Sequence, residues 1–308
     1  MNRRISKPTQ MDDKIDWGWS NSPILLPLAY EHREWNSIYS AFITAEYSGS
    51  KVIAFHVKTE VDDKVIREKS LKSIDDFASC FNVNYEIKET RDLVPSKDIA
   101  KISDSIASAA KDYECQAIVM SAYKEGFFRK FFGRISDRVA RKADCDVVLV
   151  ETPRAGMSIP KQMKKIMVPI LKDRFSPAPL ILAAAFTSSA SIPYCELIVA
   201  RIVNMPLTTS MDAIESTKFF RRVEGAFSQK IAVAISSLGR LFSLRLLAVR
   251  DVGVDVAEYA KETEVGIIIM ESNKPSRLGP MMTKEEYAIV ERAPCITLVV
   301  FPAKKVLL

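Results

Sequence analysis

The sequence predicts an α/β protein with two doubly wound sheets of parallel strands, one in each half of the chain. Two observations predict this fold class. Short, continuous apolar runs, the pattern of strands buried on both faces, alternate with longer stretches of helical periodicity. This alternating pattern also occurs twice along the 308 residues. Strand and helix in alternation are typical of a parallel sheet with helices on both faces.

The two halves repeat recognisable segments. Three pairs recur, each at a similar place in its half: "SPILLPLA" (22–29) and "KKIMVPIL" (164–171), "QAIVMSA" (116–122) and "VGIIIMES" (265–272), "RKADCDVVLVE" (141–151) and "ERAPCITLVVF" (291–301). Met120 and Met270 are 150 positions apart, as are Cys145 and Cys295. A repeat of about 145 residues indicates a duplicated domain, because solenoid units are far shorter.

In the first half, helical stretches separate most of the apolar runs. The expected strands are "PILLPL" (23–28), "KVIAFHV" (51–57), "NVNYEIKE" (82–89), "QAIVM" (116–120) and "DVVLV" (146–150). Helices are expected near 34–48, 62–81 and 96–113. Ser96 and Asp98 are candidate N-caps of the third helix, because their side chains accept hydrogen bonds from helix-start amides.

The second half predicts the same order. Its strands are expected near 165–170, 195–203, 242–249, 265–270 and 295–300, and its helices near 211–238, 252–262 and 283–293. The predicted organisation is a polar N-terminal tail (1–22), a first domain (23–152), a linker (153–163), a second domain (164–303) and a C-terminal tail (304–308).

Charge and composition exclude several classes of function. The net charge is +6, but residues 1–160 hold 24 basic and 24 acidic side chains, so the excess lies in the second half. This excess is too diffuse for a nucleic-acid surface. The uncharged run 175–195 contains three prolines and five serines or threonines, too polar for a membrane-spanning helix.

Cysteine and histidine usage points to a reduced, cytoplasmic protein without a metal site. Five cysteines form no CxxC pair, and no secretory signal is recognisable at the start. His32 and His56 are the only histidines, which makes a histidine-based metal site or a Ser-His-Asp triad hard to build. We expect both to be structural.

The stretch "KEGFFRKFFGRISDRVARK" (124–142) allows three interpretations. If residues 127–139 form a helix, its six apolar side chains fall within an arc of roughly 140°, the width of a core-facing stripe. The stretch lies between two predicted strands, where a crossover helix packs on the sheet. A core-facing helix is therefore favoured, with anion binding, or docking to a membrane or a nucleic acid, as the alternatives.

The run "AIVMSAYKEGFFRKFFGRISDRVARKADCDVVLVE" (117–151) resembles the universal stress protein family. "ILLPLA" and "KVIAFHV" look like the first two strands of that family, and "RAPCITLVV" (292–300) looks like its ending. The resemblance covers nearly the whole chain as two tandem copies. It implies an adenine-nucleotide alpha-hydrolase-like fold of five parallel strands in each copy. It also implies an intramolecular pseudo-dimer, because final strands in this family pair antiparallel.

Nucleotide-binding members of the family carry a G-x-x-G-x9-G-[ST] loop, whose glycines let backbone amides approach phosphate, and an Asp after the first strand. Here Ala29 takes the place of that Asp, and the second glycine falls at Tyr123 or Lys124. The residues of the first half that form the candidate anion or nucleotide loop are Ser121, Lys124, Gly126, Gly133 and Arg134. Of these, Gly133 matches the third glycine, while Arg134 replaces its hydroxyl partner.

The second half departs further from the family pattern. Glu271 and Lys274 stand at the first two glycines, Thr283 and Lys284 stand where Gly-Ser is expected, and Leu171 takes the place of the Asp. The Glu271 carboxylate would repel phosphate. The whole chain has only ten glycines, so it is poor in the residue that a phosphate-cradling loop most needs.

These residues predict a non-catalytic regulatory or stress-response protein, with no catalytic residues and no tight ATP binding through the family loop. The alternative is binding of ATP, AMP or another anion in the first domain only, where slow hydrolysis stays open. An adenylyl-transferring enzyme is disfavoured because preorganised phosphate donors are not recognisable. The resemblance implies a protein partner or a membrane transporter. Nucleic-acid binding and direct membrane insertion are not expected, and further homodimerisation is left open.

Overall fold

The computed structural model describes residues 19, 21–30, 34–61, 64–122, 134–153, 159, 163–173, 175–189, 195–205, 225, 227, 231, 242–274 and 279–303. Its strands are β1 (Ile24–Leu28), β2 (Val52–His56), β3 (Tyr85–Glu89), β4 (Ala117–Ser121), β5 (Asp146–Glu151), β6 (Lys165–Ile170), β7 (Glu196–Asn204), β8 (Phe242–Val249), β9 (Ile267–Glu271) and β10 (Ile296–Phe301). Its helices are α1 (Trp35–Ser48), α2 (Lys64–Phe81), α3 (Ile99–Asp112), α4 (Arg134–Lys142), α5 (Ala178–Ser188), α6 (Val252–Glu262) and α7 (Lys284–Arg292).

The described strands form a single ten-stranded sheet in the order β3-β2-β1-β4-β5-β10-β9-β6-β7-β8. Neighbouring strands are parallel within each half. The halves meet where β5 and β10 pair antiparallel, with Leu149 opposite Val299. The prediction of two doubly wound, five-stranded parallel sheets joined as a pseudo-dimer is therefore confirmed.

Both faces of the sheet carry a core to which the two halves contribute. On one face, α1 and α5 pack together across the junction, and the rings of Tyr39 and Phe186 lie 6.3 Å apart. On the other face, the core includes Val139 of α4 and Ile289 of α7. The halves are thus joined by shared apolar burial as well as by the β5–β10 hydrogen bonds.

The outer edge at β3 is protected by charge. Glu86 forms ion pairs with Lys51 and Lys88, and Arg67 of α2 pairs with Glu89. Charged side chains on an edge strand discourage pairing with a further strand. Hydrogen bonds from Lys51 and Lys88 lower the pKa of Glu86 to about 2.

Most sequence-based elements lie within three residues of those observed, but one helix was missed. α5 falls in the uncharged run 175–195 and is buried along nearly its whole length. It is apolar on every face, so it has no helical periodicity for a sequence pattern to detect. Asp98 caps α3, accepting a hydrogen bond from Lys101 N at 3.1 Å, whereas Ser96 binds the Glu60 carboxylate and is not the cap.

Some sequence predictions lie outside the described residues. These are the helix expected over 211–238, apart from three isolated positions, and the phenylalanine-rich segment before Arg134. The domain boundaries stay a prediction. Within the described ranges, none of the helices has the length and hydropathy required to cross a bilayer.

Candidate functional site

The strand order creates one crevice in each half. The helices after β1 and β6, α1 and α5, pack on one face of the sheet, and the helices after β4 and β9, α4 and α7, pack on the other. In open parallel sheets, ligands bind at such points, outside the carboxyl ends of the strands. The residues that end these four strands therefore define the candidate sites.

Only two of the five residues predicted for the first-half loop are described. Ser121 ends β4, is buried, and its hydroxyl donates to Ser37 Oγ of α1 at 2.8 Å. Arg134 begins α4 and is exposed. Lys124, Gly126 and Gly133 lie outside the described residues, so the anion loop stays a prediction.

Side chains of the protein itself fill the space after β1. The Ala29 backbone N–H donates to the carboxylate of Glu34, which is buried. Tyr30 adopts a φ of 53°, in the left-handed region, and its buried ring lies 4.3 Å from the His56 ring. The guanidinium carbon of Arg67 lies 5.4 Å from the centre of the Tyr30 ring. A carboxylate thus lies beside Ala29 although the family Asp is missing. Glu34 supplies it, and the sequence did not predict this role.

His56 and Arg201 occupy matching places in the two halves. His56 is opposite Leu28 in the β1–β2 pairing, and Arg201 is opposite Ile170 in the β6–β7 pairing. His56 Nδ1 lies 2.9 Å from Leu28 O, and Arg201 Nη1 donates to Ile170 O at 3.0 Å. A carbonyl oxygen can only accept, so His56 Nδ1 is the donor in this hydrogen bond. Both side chains tie the first two strands together, which supports the structural interpretation of His56.

A buried acid–base cluster fills the second-half crevice. Glu286 of α7 is 1% exposed, and its Oε1 accepts a hydrogen bond from Lys172 Nζ at 2.7 Å. Its Oε2 accepts from Ser272 Oγ at 2.7 Å and from Thr283 N at 3.0 Å. Thr283 Oγ1 accepts from Glu286 N at 3.2 Å, which completes a capping box at the start of α7.

Glu271 brings a second carboxylate to the same crevice. It ends β9, and its Oε2 accepts a hydrogen bond from Ser176 N at 2.5 Å. Burial raises the pKa of Glu271, and the charge of Glu286 raises it further, while the Ser176 N–H and Lys172 oppose these effects. Lys172 therefore acts electrostatically on two carboxylates.

The first half has neutral side chains where the second half has these acids. By the repeat spacing of 150 positions, Ser121 matches Glu271 and Ser136 matches Glu286. Both serines are buried. The two crevices therefore differ at these two positions, although the strands that form them correspond and the first crevice has the carboxylate of Glu34 beside Ala29.

The described residues contain no candidate metal cluster, and four of the five cysteine thiols have raised pKa values. No group of three or more His, Cys, Asp or Glu side chains there could hold a metal ion. Burial raises the thiol pKa of Cys115, Cys195 and Cys295 to about 12, and that of Cys145 to about 11. These thiols are thus protonated near neutral pH and poorly nucleophilic.

Sequence reasoning identified Glu271 but missed Glu286. A signal for Glu286 is present, because Thr283 followed three residues later by Glu286 has the capping-box spacing. Its contacts with Lys172 and Ser272 join positions 114 and 14 residues away. Such pairs become neighbours only when the sheet forms.

Parallel strands in each half, with crevices at the carboxyl ends of the strands, define a doubly wound α/β protein. Residues 24–151 match the model of the universal stress protein family. No curated protein matches the sequence.

Solved structures resemble the whole tandem fold. A universal stress protein from Archaeoglobus fulgidus DSM 4304 is 13% identical, with 93% of this chain and 98% of that chain covered and a TM-score of 0.57. A functionally unknown protein from Pseudomonas aeruginosa PAO1 is 13% identical, with coverages of 93% and 94% and a TM-score of 0.59. The cytoplasmic domain of a prokaryotic cation chloride cotransporter is 11% identical, with coverages of 92% and 96% and a TM-score of 0.50. At these identities the likeness concerns the fold alone.

Proposed function

We propose that this protein is a non-catalytic regulatory protein of the universal stress type, which acts in the cytoplasm and does not bind ATP tightly through the family loop. The observation that carries the proposal is the Lys172–Glu286–Ser272 cluster in the second-half crevice. This cluster places a buried carboxylate, with Glu271 nearby, where an anionic ligand would have to enter.

Negative charge in the second-half crevice opposes the binding of an anionic ligand. A phosphate facing a carboxylate at 4 Å is opposed by about 4 kcal/mol per pair of unit charges at an effective dielectric constant of 20. Displacement of Glu286 would also break its contact with Lys172, and removing one partner of a buried pair costs about 3–5 kcal/mol. Lys172 is 35% exposed, so the cost here lies below that range. Both terms oppose nucleotide binding.

The alternative is binding of ATP, AMP or another anion in the first half only. What supports it is the pair Ser121 and Ser136, which leaves the first crevice without the two carboxylates of the second. Arg134, exposed at the start of α4, supplies a cation that pairs well with phosphate.

The proposed partner is a protein, with a membrane transporter as the specific candidate. What supports this choice is that the same tandem fold occurs as the cytoplasmic domain of a cation chloride cotransporter. Affinity capture from membrane extracts with the full chain as bait, compared with resin that carries no bait, would test it. Absence of any transporter from the captured proteins would count against this part of the proposal.

Nucleotide content is the direct test. Freshly purified protein is denatured, released small molecules are identified by mass spectrometry, and ATP and AMP are titrated calorimetrically. We expect no stoichiometric nucleotide and no binding up to millimolar concentration. A dissociation constant below about 10 μM, roughly −7 kcal/mol, would overturn the proposal.

Variants then assign any nucleotide that does bind. Loss of binding in Arg134→Ala, with binding kept in Arg138→Ala, would establish the first-half alternative. Arg138 is the matched control because it is also exposed on α4. Equal affinity in both variants would exclude Arg134 from the site.

A further inference from the structure

We propose that the outer edge of β8 is a docking site for an extended, acidic segment of a partner protein, which pairs with β8 as a further strand of the sheet. β8 (Phe242–Val249) is the edge strand of the second half, and β7 is its only strand neighbour in the described part of the chain. This docking site rests on the proposed function, in which the partner is a protein.

The backbone of β8 faces β7 on one side only. Met205 N donates to Val249 O at 2.8 Å, which shows that the Val249 carbonyl points toward β7. Because the backbone groups of successive residues in a strand point in opposite directions, the N–H and C=O of Leu244 and Leu246 point away from β7. On that side, the hydrogen bond found among the described residues joins Arg245 Nη1 to Leu244 O at 3.3 Å. Unpaired backbone groups along a sheet edge are a template for another strand.

The side chains of β8 leave apolar surface for such a strand to cover. Six of the eight are apolar, and five of these six are only partly buried: Phe242, Leu244, Leu246, Leu247 and Ala248. Apolar residues lie on both faces of the strand because its side chains alternate between the faces. Their further burial would stabilise a complex by about 25 cal/mol per Å² of apolar surface removed from water.

The two outer edges of the sheet differ in charge. The first half ends at β3, where Glu86, Lys88 and Glu89 all form ion pairs. β8 has one charged side chain in eight, Arg245. Charged side chains on an edge strand discourage pairing. The β3 edge is therefore protected, whereas the β8 edge lacks the same protection.

Charge also selects the segment that fits. Arg245 is exposed, and none of the ion pairs between described residues includes it. Opposite charges on paired strands stabilise the pairing and like charges oppose it, so an aspartate or glutamate beside Arg245 is favoured. Residues 161–308 hold 20 basic and 14 acidic side chains. This excess attracts an acidic segment and disfavours a second copy of the same basic half.

Calorimetric titration with a defined peptide tests the proposal. The probe is an acetylated and amidated peptide as long as β8 in which valine alternates with glutamate, and its matched control has lysine in place of glutamate. We expect the glutamate peptide to bind the native protein with a dissociation constant of about 1 mM or below. The lysine peptide should bind more weakly. Absence of binding, or equal affinity for both peptides, would overturn the proposal.

Proline substitutions locate the bound peptide. Leu246→Pro removes an N–H that points away from β7, so it blocks the added strand and keeps the β7–β8 hydrogen bonds. It should weaken binding of the glutamate peptide about tenfold or more. Ile87→Pro is the matched control on the β3 edge. Thr90 N donates to His56 O at 3.0 Å, so the Ile87 N–H also points outward. Ile87→Pro should leave binding unchanged, and an equal loss in both variants would overturn the proposal.

Arg245→Glu provides a test that does not depend on proline, because Arg245 is exposed. It should reverse the preference, so that the lysine peptide binds more tightly than the glutamate peptide. An unchanged preference would overturn the proposal. So would a native protein that is dimeric in analytical ultracentrifugation and monomeric as Leu246→Pro, because a second copy would then occupy the edge. None of these results concerns nucleotide binding by the native protein, which overturns the proposed function separately.

Discussion

At the scale of single residues, the second-half crevice contains two carboxylates, Glu271 and Glu286, and one ammonium, Lys172. Glu271 faces the Glu286 carboxylate, the Lys172 ammonium and the Ser176 N–H. Burial, the largest of these influences, raises its pKa above the usual 4.5. Between 4.5 and the raised value, the folded protein binds more protons than the unfolded chain.

This pKa shift predicts a pH-dependent effect of Glu271→Gln. The stability that Glu271 contributes by protonation is fully present below pH 4.5 and is lost as the pH rises through its folded pKa. The variant lacks this loss, so its free energy of unfolding should rise relative to that of the native protein across this window and then level off. Urea unfolding at a series of pH values measures the difference.

Glu285→Gln is the matched control, because Glu285 is exposed on the first turn of α7. Its difference from the native protein should show no comparable rise across the same pH window. A Glu271→Gln difference that is constant, or that falls with pH, would contradict the raised pKa.

At the scale of elements, Asp146 connects the beginning of β5 to segments near both ends of the described fold. Its Oδ2 accepts a hydrogen bond from Trp19 Nε1 at 2.8 Å, and its Oδ1 accepts from Ala303 N at 2.7 Å. Trp19 and Ala303, which lie 127 and 157 positions from Asp146 along the chain, are thereby joined to the central strands. α5 was not predicted from the sequence, because a helix without a polar face has no alternation of apolar and polar residues at helical spacing.

Asp146→Ala should therefore destabilise the protein by about 1–3 kcal/mol, since two donors lose a charged acceptor. Urea unfolding measures this loss, and a red shift of tryptophan emission reports greater solvent exposure of Trp19. Asp144→Ala removes an exposed carboxylate two residues earlier and should change stability by less than about 0.5 kcal/mol. Equal effects of the two substitutions would show that the Asp146 hydrogen bonds add no stability.

At the scale of the whole molecule, the two halves form one structural unit. The β5–β10 pairing joins the halves, and each of the two cores includes residues of both halves. All three tryptophans, Trp17, Trp19 and Trp35, lie in the first half, whereas helices of both halves contribute to circular dichroism. The two signals therefore report different parts of the molecule.

We expect fluorescence and circular dichroism to give coincident unfolding transitions in urea, the signature of two-state unfolding. Leu298→Ala, a fully buried change in β10, should destabilise the protein by about 2–5 kcal/mol. It should lower both midpoints equally, although the tryptophans lie in the other half. A tryptophan midpoint that does not move would mean that the halves unfold independently.

The sequence by itself determined the fold class, the repeat and most element positions, which follow from local periodicity and from similarity between the halves. The pairing of the final strands was implied by the resemblance to the universal stress protein family. The sequence also placed Glu271 and Ser121 at matching positions of the two crevices. The tertiary structure alone decided α5, the hydrogen bonds of Glu34, and the three donors that surround Glu286. These depend on residues brought together by the sheet from distant positions, where contact and burial, and not sequence pattern, set the chemistry.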